Sequence, residues 1–121
     1  MTSAAFSYVE IPSTIDPARP LIYKWEIRDK DGQLLHCYVG KASGGASRPR
    51  CAYANNVRRL RVGLPWHGQP TRGYRQIHHR LSEAVDAGHD VTLVLLCNIE
   101  EGEDINEVER RMRLEHGCDG R

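Results

Sequence analysis

No aspartate or glutamate occurs between Asp31 and Glu83. That interval carries Lys41, Arg48, Arg50, Arg58, Arg59, Arg61, Arg72, Arg75 and Arg80, together with His36, His67, His78 and His79. The acids collect after it, from Glu83 to Asp119, so a net charge of only +1 conceals two blocks of opposite sign. A solvated surface normally interleaves its charges. A one-signed block of this length is the electrostatic footprint expected for binding a phosphate backbone.

Other absences narrow the class. No apolar run approaches the roughly 20 residues that cross a bilayer, so no membrane association is expected. The N-terminus lacks a basic patch followed by an apolar stretch, and no signal peptide is read there. Cys37, Cys51, Cys97 and Cys118 show no CxxC spacing. They read as reduced thiols of a cytoplasmic protein, not as a zinc site or a disulfide framework. No internal repeat is visible. With 121 residues and 40% hydrophobic content, a single domain with a modest core is expected.

What is present follows two periodicities. Residues 1–19 hold Pro12 and Pro17 among small polar residues and read as an N-terminal arm, with Phe6, Tyr8, Val9 and Ile11 able to pack on the domain. Residues 21–28 alternate Leu21, Tyr23, Trp25 and Ile27 against Ile22, Lys24, Glu26 and Arg28, the pattern of a strand with one buried face. Asp31-Gly32 predicts a two-residue type I′ hairpin into a second strand over 34–40. That turn sets Lys30 opposite Gln33 and Trp25 opposite Tyr38, which makes Tyr23 and Tyr38 diagonal neighbours on one face.

Residues 42–47 form a small-residue connector. Ser47 is placed as an N-cap and Pro49 in the first turn of a helix over 49–62, with Tyr53, Val57 and Leu60 as its stripe. Residues 63–73 read as a loop. A second helix carries Tyr74, Ile77, His78, Leu81, Ala84 and Val85 at helical spacing and stops at Gly88. His78 on that stripe reads as a satisfied core histidine. Residues 91–97 are a continuous apolar run, hence a central buried strand. Asp104 opens the last helix with Glu107 as its capping-box partner. Ile105, Val108 and Met112 form its stripe, and Glu109 falls on the stripe's edge, where a bare charge is costly and needs a cation.

Leu21-Ile22-Tyr23 followed by Tyr38-Val39-Gly40-Lys41 resembles the paired signature of the GIY-YIG nuclease family, with leucine where the family's first glycine often stands. The resemblance covers about residues 20–117. It implies an α+β domain over 20–121, a three-stranded antiparallel sheet flanked by helices in the order ββααβα. It also implies a metal-dependent endonuclease that hydrolyses phosphodiester bonds by tyrosine-assisted water attack.

Tyr23 and Tyr38 match the family's signature tyrosines. A phenol titrates near pH 10, so one acting as base must be lowered by neighbouring cations, a role open to Lys41. The family arginine corresponds to Arg48, with Arg50 as the alternative. The aromatic or histidine normally four residues further falls on Ala52, leaving Tyr53 as the nearest candidate. Glu109 matches the single metal-ligating glutamate, for Mg2+ or Mn2+, since one carboxylate suffices when waters and phosphate complete the shell. The family's asparagine beyond that glutamate has no counterpart before Arg121.

Arg50, Arg58, Arg59, Arg61, Arg72 and Arg75 are candidates to contact nucleic acid, double-stranded DNA first among them, and Trp66 to stack on a base. The alternative reading is a catalytically weak nucleic-acid-binding or regulatory module on the same fold.

Overall fold

The computed structural model describes residues 6–64 and 74–118. Its architecture is α+β, a mixed sheet of four strands between helices on both faces. In chain order these are β1 (Val9–Glu10), β2 (Leu21–Arg28), β3 (Leu34–Ala42), α1 (Tyr53–Arg61), α2 (Gln76–Ala87), β4 (Asp90–Asn98) and α3 (Ile105–His116). The sheet order is β1-β4-β2-β3. Of the three expected strands, β2 lies between β3 and β4 and is antiparallel to both, but the count and order expected from sequence are corrected by β1, which runs parallel to β4.

That fourth strand comes from the lead-in. Val9 pairs with Thr92 and Glu10 with Leu93, and the Ile11 amide donates to the Leu93 carbonyl at 2.9 Å. Pro12 then ends the pairing, having no amide to donate. Phe6, Tyr8 and Ile15 pack against the main core, with Tyr8 edge-on to Trp25 at 5.1 Å between ring centroids. Two residues of strand are too few to show a period, which is why sequence alone does not register it.

Alternation in β2 divides the molecule into two cores. Leu21, Tyr23, Trp25 and Ile27 face Val57, Ile77 and Leu81 of α1 and α2. Ile22, with Cys37 and Val39 of β3, faces Val108 and Met112 of α3. Each buried aliphatic side chain contributes about 1.5–3 kcal/mol relative to exposure, so these two layers fix where the helices sit.

The β2–β3 turn differs from expectation, yet the register does not. Asp29 donates its amide to the Gln33 carbonyl and Gly32 donates to the Asp29 carbonyl, both at 3.0 Å. The loop is therefore the three residues Lys30-Asp31-Gly32, closed by Gly32 at φ 83°. The Asp29 side chain accepts from the amides of Asp31 and Gln33, at 2.9 Å each, and holds this wider turn. It offsets the pairing by one residue, and a bulge opposite Ile27 and Arg28 restores it, so Trp25 pairs with Tyr38 as the two-residue loop predicted.

The cysteines need a correction. Cys37 and Cys118 form a disulfide across 81 residues, with Cα atoms 5.1 Å apart. Gly117, left-handed at φ 62°, ends α3 and folds Cys118 back onto β3. Sequence spacing carries no signal for a pair that tertiary packing creates. The reading of these two as reduced thiols is overturned, and with it the sequence argument for a reducing compartment. Cys51 and Cys97 are free. Among the described residues no helix is long and apolar enough to cross a membrane.

Candidate active site

Tyr23 sits opposite Gly40 on the adjacent strand. A Cβ on residue 40 would lie 2.5 Å from the Tyr23 hydroxyl oxygen, so only glycine leaves the phenol room to cross β3. Tyr38, on the same face, stacks obliquely beside it with ring centroids 6.5 Å apart. Both line one cleft of about 560 Å³ at the β3 edge of the sheet. The end of β3 contributes Lys41, the connector after it Ser43 and Gly44, and Arg48 follows from the next turn. Arg75 enters from the start of α2, and Glu109 and Arg113 from α3. The expected convergence of Tyr23, Tyr38, Lys41, Arg48 and Glu109 is thus what the fold produces. Arg75, expected only as a nucleic-acid contact, joins them.

The position of Tyr53 resolves a spacing problem. Residues Arg48–Ala52 form a single π-helical turn, in which the Tyr53 amide bonds to the Arg48 carbonyl. A π turn accommodates one residue more than an α turn. Arg48 and Tyr53, five apart in sequence, therefore stand one turn apart, as residues four apart do on a regular helix. Ala52 is the extra residue and is exposed. Ser47 precedes this turn but makes no capping bond through its side chain.

Tyr53 lies beneath the cleft and connects two of its walls. Its hydroxyl is 2.7 Å from the Tyr23 hydroxyl and accepts from the Arg75 guanidinium at 2.7 Å. With the Arg75 donor in place, the Tyr53 proton is available to Tyr23, and the Tyr23 proton is then free to point into the cleft. Arg75 also lies over the Tyr38 ring, 5.7 Å from its centroid. His78 supports this corner, accepting from the Arg75 amide through Nδ1 at 3.2 Å, and is the satisfied core histidine its position predicts. Burial pushes the phenols of Tyr23 and Tyr53 above the ordinary tyrosine range. For Tyr23 this outweighs the lowering by its Tyr53 hydrogen bond and by Arg48. The cations do not bring Tyr23 down to neutrality, contrary to what a general-base phenol requires, and Tyr23 is held as a protonated donor.

Glu109 is 8% exposed, and its cation is internal. Arg113, one turn along α3, donates to Glu109 Oε1 at 2.7 Å. Lys41 does not contact it directly in this arrangement, since its ammonium donates to Asn106 Oδ1. Glu107 points outward, 69% exposed, and pairs with Arg110 at 3.3 Å, so the expected capping box is not formed. Asp104 alone caps α3, accepting from the Asn106 amide at 2.9 Å. Arg113 is the functional residue that sequence reasoning missed. Its signal was the four-residue spacing from Glu109, which places opposite charges side by side on a helix.

A divalent ion needs anionic oxygen donors. Among the described residues no group of three or more histidine, cysteine, aspartate or glutamate side chains is placed to hold a metal. The cleft offers one carboxylate, Glu109, with the neutral oxygens of Tyr23, Tyr38 and Ser43. This donor set fits Mg2+ or Mn2+ only when phosphate and water complete the shell.

The remaining candidates lie elsewhere. Arg50 is turned away from the cleft and forks onto Glu10 of β1 through Nε and Nη2, both at 2.7 Å. That leaves Arg48 as the cleft arginine. Arg61 is engaged on α2, bonding Ser82 and pairing with Asp86 at 2.9 Å. Arg58 is exposed and bonds Asn55, and Arg59 is half-buried beside it. Trp66 and Arg72 lie outside the described residues.

Comparison with known protein families, with curated proteins and with solved structures returned no match.

Proposed function

We propose that the chain is a metal-dependent endonuclease with a GIY-YIG-like arrangement, acting on the phosphodiester backbone of nucleic acid, double-stranded DNA first. The observation that carries this reading is the convergence of Tyr23, Tyr38, Arg48 and Glu109 on one cleft from four separate segments. Four cations against a single carboxylate make that cleft a site for an anion.

Arg48 and Arg75 bind the non-bridging oxygens of the phosphate, for which the guanidinium fork is suited, and neutralise charge that grows in the transition state. Tyr23, kept protonated and aimed by Tyr53, donates to the attacking water or to a phosphoryl oxygen and so fixes the line of attack. Tyr38, beside Tyr23 on the same face, orients the attacking water, whose proton passes to bulk solvent. Glu109 would hold Mg2+ or Mn2+, which when bound supplies Lewis-acid stabilisation of the phosphoryl and leaving oxygens.

Glu109→Gln tests the reading. Nicking of a plasmid in Mg2+ should fall by roughly three orders of magnitude, while Glu107→Gln, on the solvent side of the same helix, should cleave like the parent. A second reading, a catalytically weak binding module, is favoured by one observation, the Arg113 contact on Glu109. No nicking in Mg2+ above the EDTA background, with DNA still bound, would establish that reading instead.

A further inference from the structure

Arg113 occupies the carboxylate that a divalent ion would need. Its Nη2 lies 2.7 Å from Glu109 Oε1, and the pair sits where Glu109 is almost fully enclosed. With Lys41, Arg48 and Arg75 on the other walls, the cleft free of ligand is strongly cationic. A divalent cation entering it loses on two counts. It must displace a charge-assisted hydrogen bond, and it must approach other fixed positive charges.

A phosphodiester reverses both. Its negative charge screens the cations, and it presents acceptor oxygens to a guanidinium that lacks them. The Arg113 Nε is buried without a hydrogen-bond partner among the described residues. Arg113 is therefore incompletely satisfied on Glu109 alone, and half-exposed where the cleft opens.

Building on the nuclease reading, we propose that Arg113 is a resident counter-cation that closes Glu109 to divalent metal until a phosphodiester enters the cleft. Metal loading follows phosphate binding, and Arg113 moves from the carboxylate to the incoming phosphate. The device keeps the glutamate neutralised in the free protein, where an uncompensated enclosed charge would be destabilising. It also confines the loaded centre to complexes that already contain substrate.

The test is Mn2+ binding, followed by electron paramagnetic resonance in the full chain without nucleic acid, for wild type, Arg113→Gln, Arg113→Lys and the double variant Arg113→Gln with Glu109→Gln. Arg113→Gln should bind Mn2+ at least about tenfold more tightly than wild type, the equivalent of one charge-assisted hydrogen bond removed from the competition. The double variant should lose that gain, and Arg113→Lys, which retains the charge, should bind as weakly as wild type. Adding dimethyl phosphate at matched ionic strength should tighten Mn2+ binding to wild type more than to Arg113→Gln. Circular dichroism establishes that the variants are folded, and Arg113→Lys carries the comparison where Arg113→Gln is not. Its phosphate-dependent gain should then match wild type.

Equal affinity of wild type and Arg113→Gln, or tight phosphate-independent binding by wild type or Arg113→Lys, would overturn the proposal. The plasmid assay separates the two failures. Cleavage without any Arg113 effect on Mn2+ rejects the counter-cation and keeps the nuclease. A Glu109-dependent Mn2+ site uncovered by Arg113→Gln in a protein that never cleaves rejects the nuclease and keeps the counter-cation.

Discussion

Gly40 is the residue on which the site turns, because its missing side chain is the space that the Tyr23 phenol occupies. Gly40→Ala should displace that phenol and lower cleavage by roughly a hundredfold, the usual cost of moving a positioned group by an ångström. The loss in stability should stay within about 1–3 kcal/mol, as for other overpacked cores. Nicking rates and urea midpoints measured together check both halves. Sequence reading places the two tyrosines on one face because period-two alternation is insensitive to what happens at the turn. It does not place Arg113, since nothing along a helix says which of several possible ion pairs faces a cleft. It also misjudges the phenols. The number of nearby cations can be counted from sequence, but the depth of burial that outweighs them for Tyr23 cannot.

At the scale of elements, β1 is the piece most open to perturbation. Two residues of strand are held to the domain by the Glu10–Arg50 fork and by the Tyr8 hydroxyl, which donates to the Arg50 carbonyl at 3.1 Å. The hydrogen bond from Arg50 holds the Glu10 carboxyl below its ordinary range. A carboxyl depressed by folding stabilises above its unfolded pKa, near 4.5, and that contribution fades as pH falls through the lower folded value. Protection of the residue 9–11 amides, measured against their intrinsic exchange at each pH, should therefore fall below about pH 4.5 in wild type, and Glu10→Gln should show the lower protection already at neutral pH. The longer elements were legible because each repeats its pattern at least twice. The π turn before α1 was not, since Arg48 to Ala52 has no composition that distinguishes it from the helix it opens. Its trace was the spacing that the GIY-YIG resemblance implies, short by one residue at Ala52.

For the molecule as a whole, the acid-free block predicts binding that weakens steeply with salt, but fewer of its arginines face outward than the sequence suggests. Among the described residues, Arg50 and Arg61 are committed to ion pairs inside the domain, and outside the cleft α1 carries Arg58, exposed, with Arg59 half-buried beside it. Replacing both with glutamine should flatten the plot of log affinity against log salt by about 0.9 for each phosphate no longer neutralised, across unrelated DNA sequences. An unchanged slope would remove the α1 surface from the interface. The disulfide acts at this scale too, since closing 81 residues into a ring raises stability by about 4–5 kcal/mol in the chain-entropy account. Its mechanical meaning differs from its thermodynamic one. The ring from Cys37 to Cys118 contains β3, α1, α2, β4 and α3, so tension on the two ends of the oxidised chain bypasses nearly all of the site. Among the described elements, β1 and β2, before Cys37, are the ones that can extend. In an optical trap, a reductant should add about 290 Å of contour length, the sequence separation of 81 from Cys37 to Cys118 at roughly 3.6 Å a step. Under load, the oxidised molecule would surrender Tyr23 while Tyr38, Arg48, Glu109 and Arg113 stay within one covalent loop.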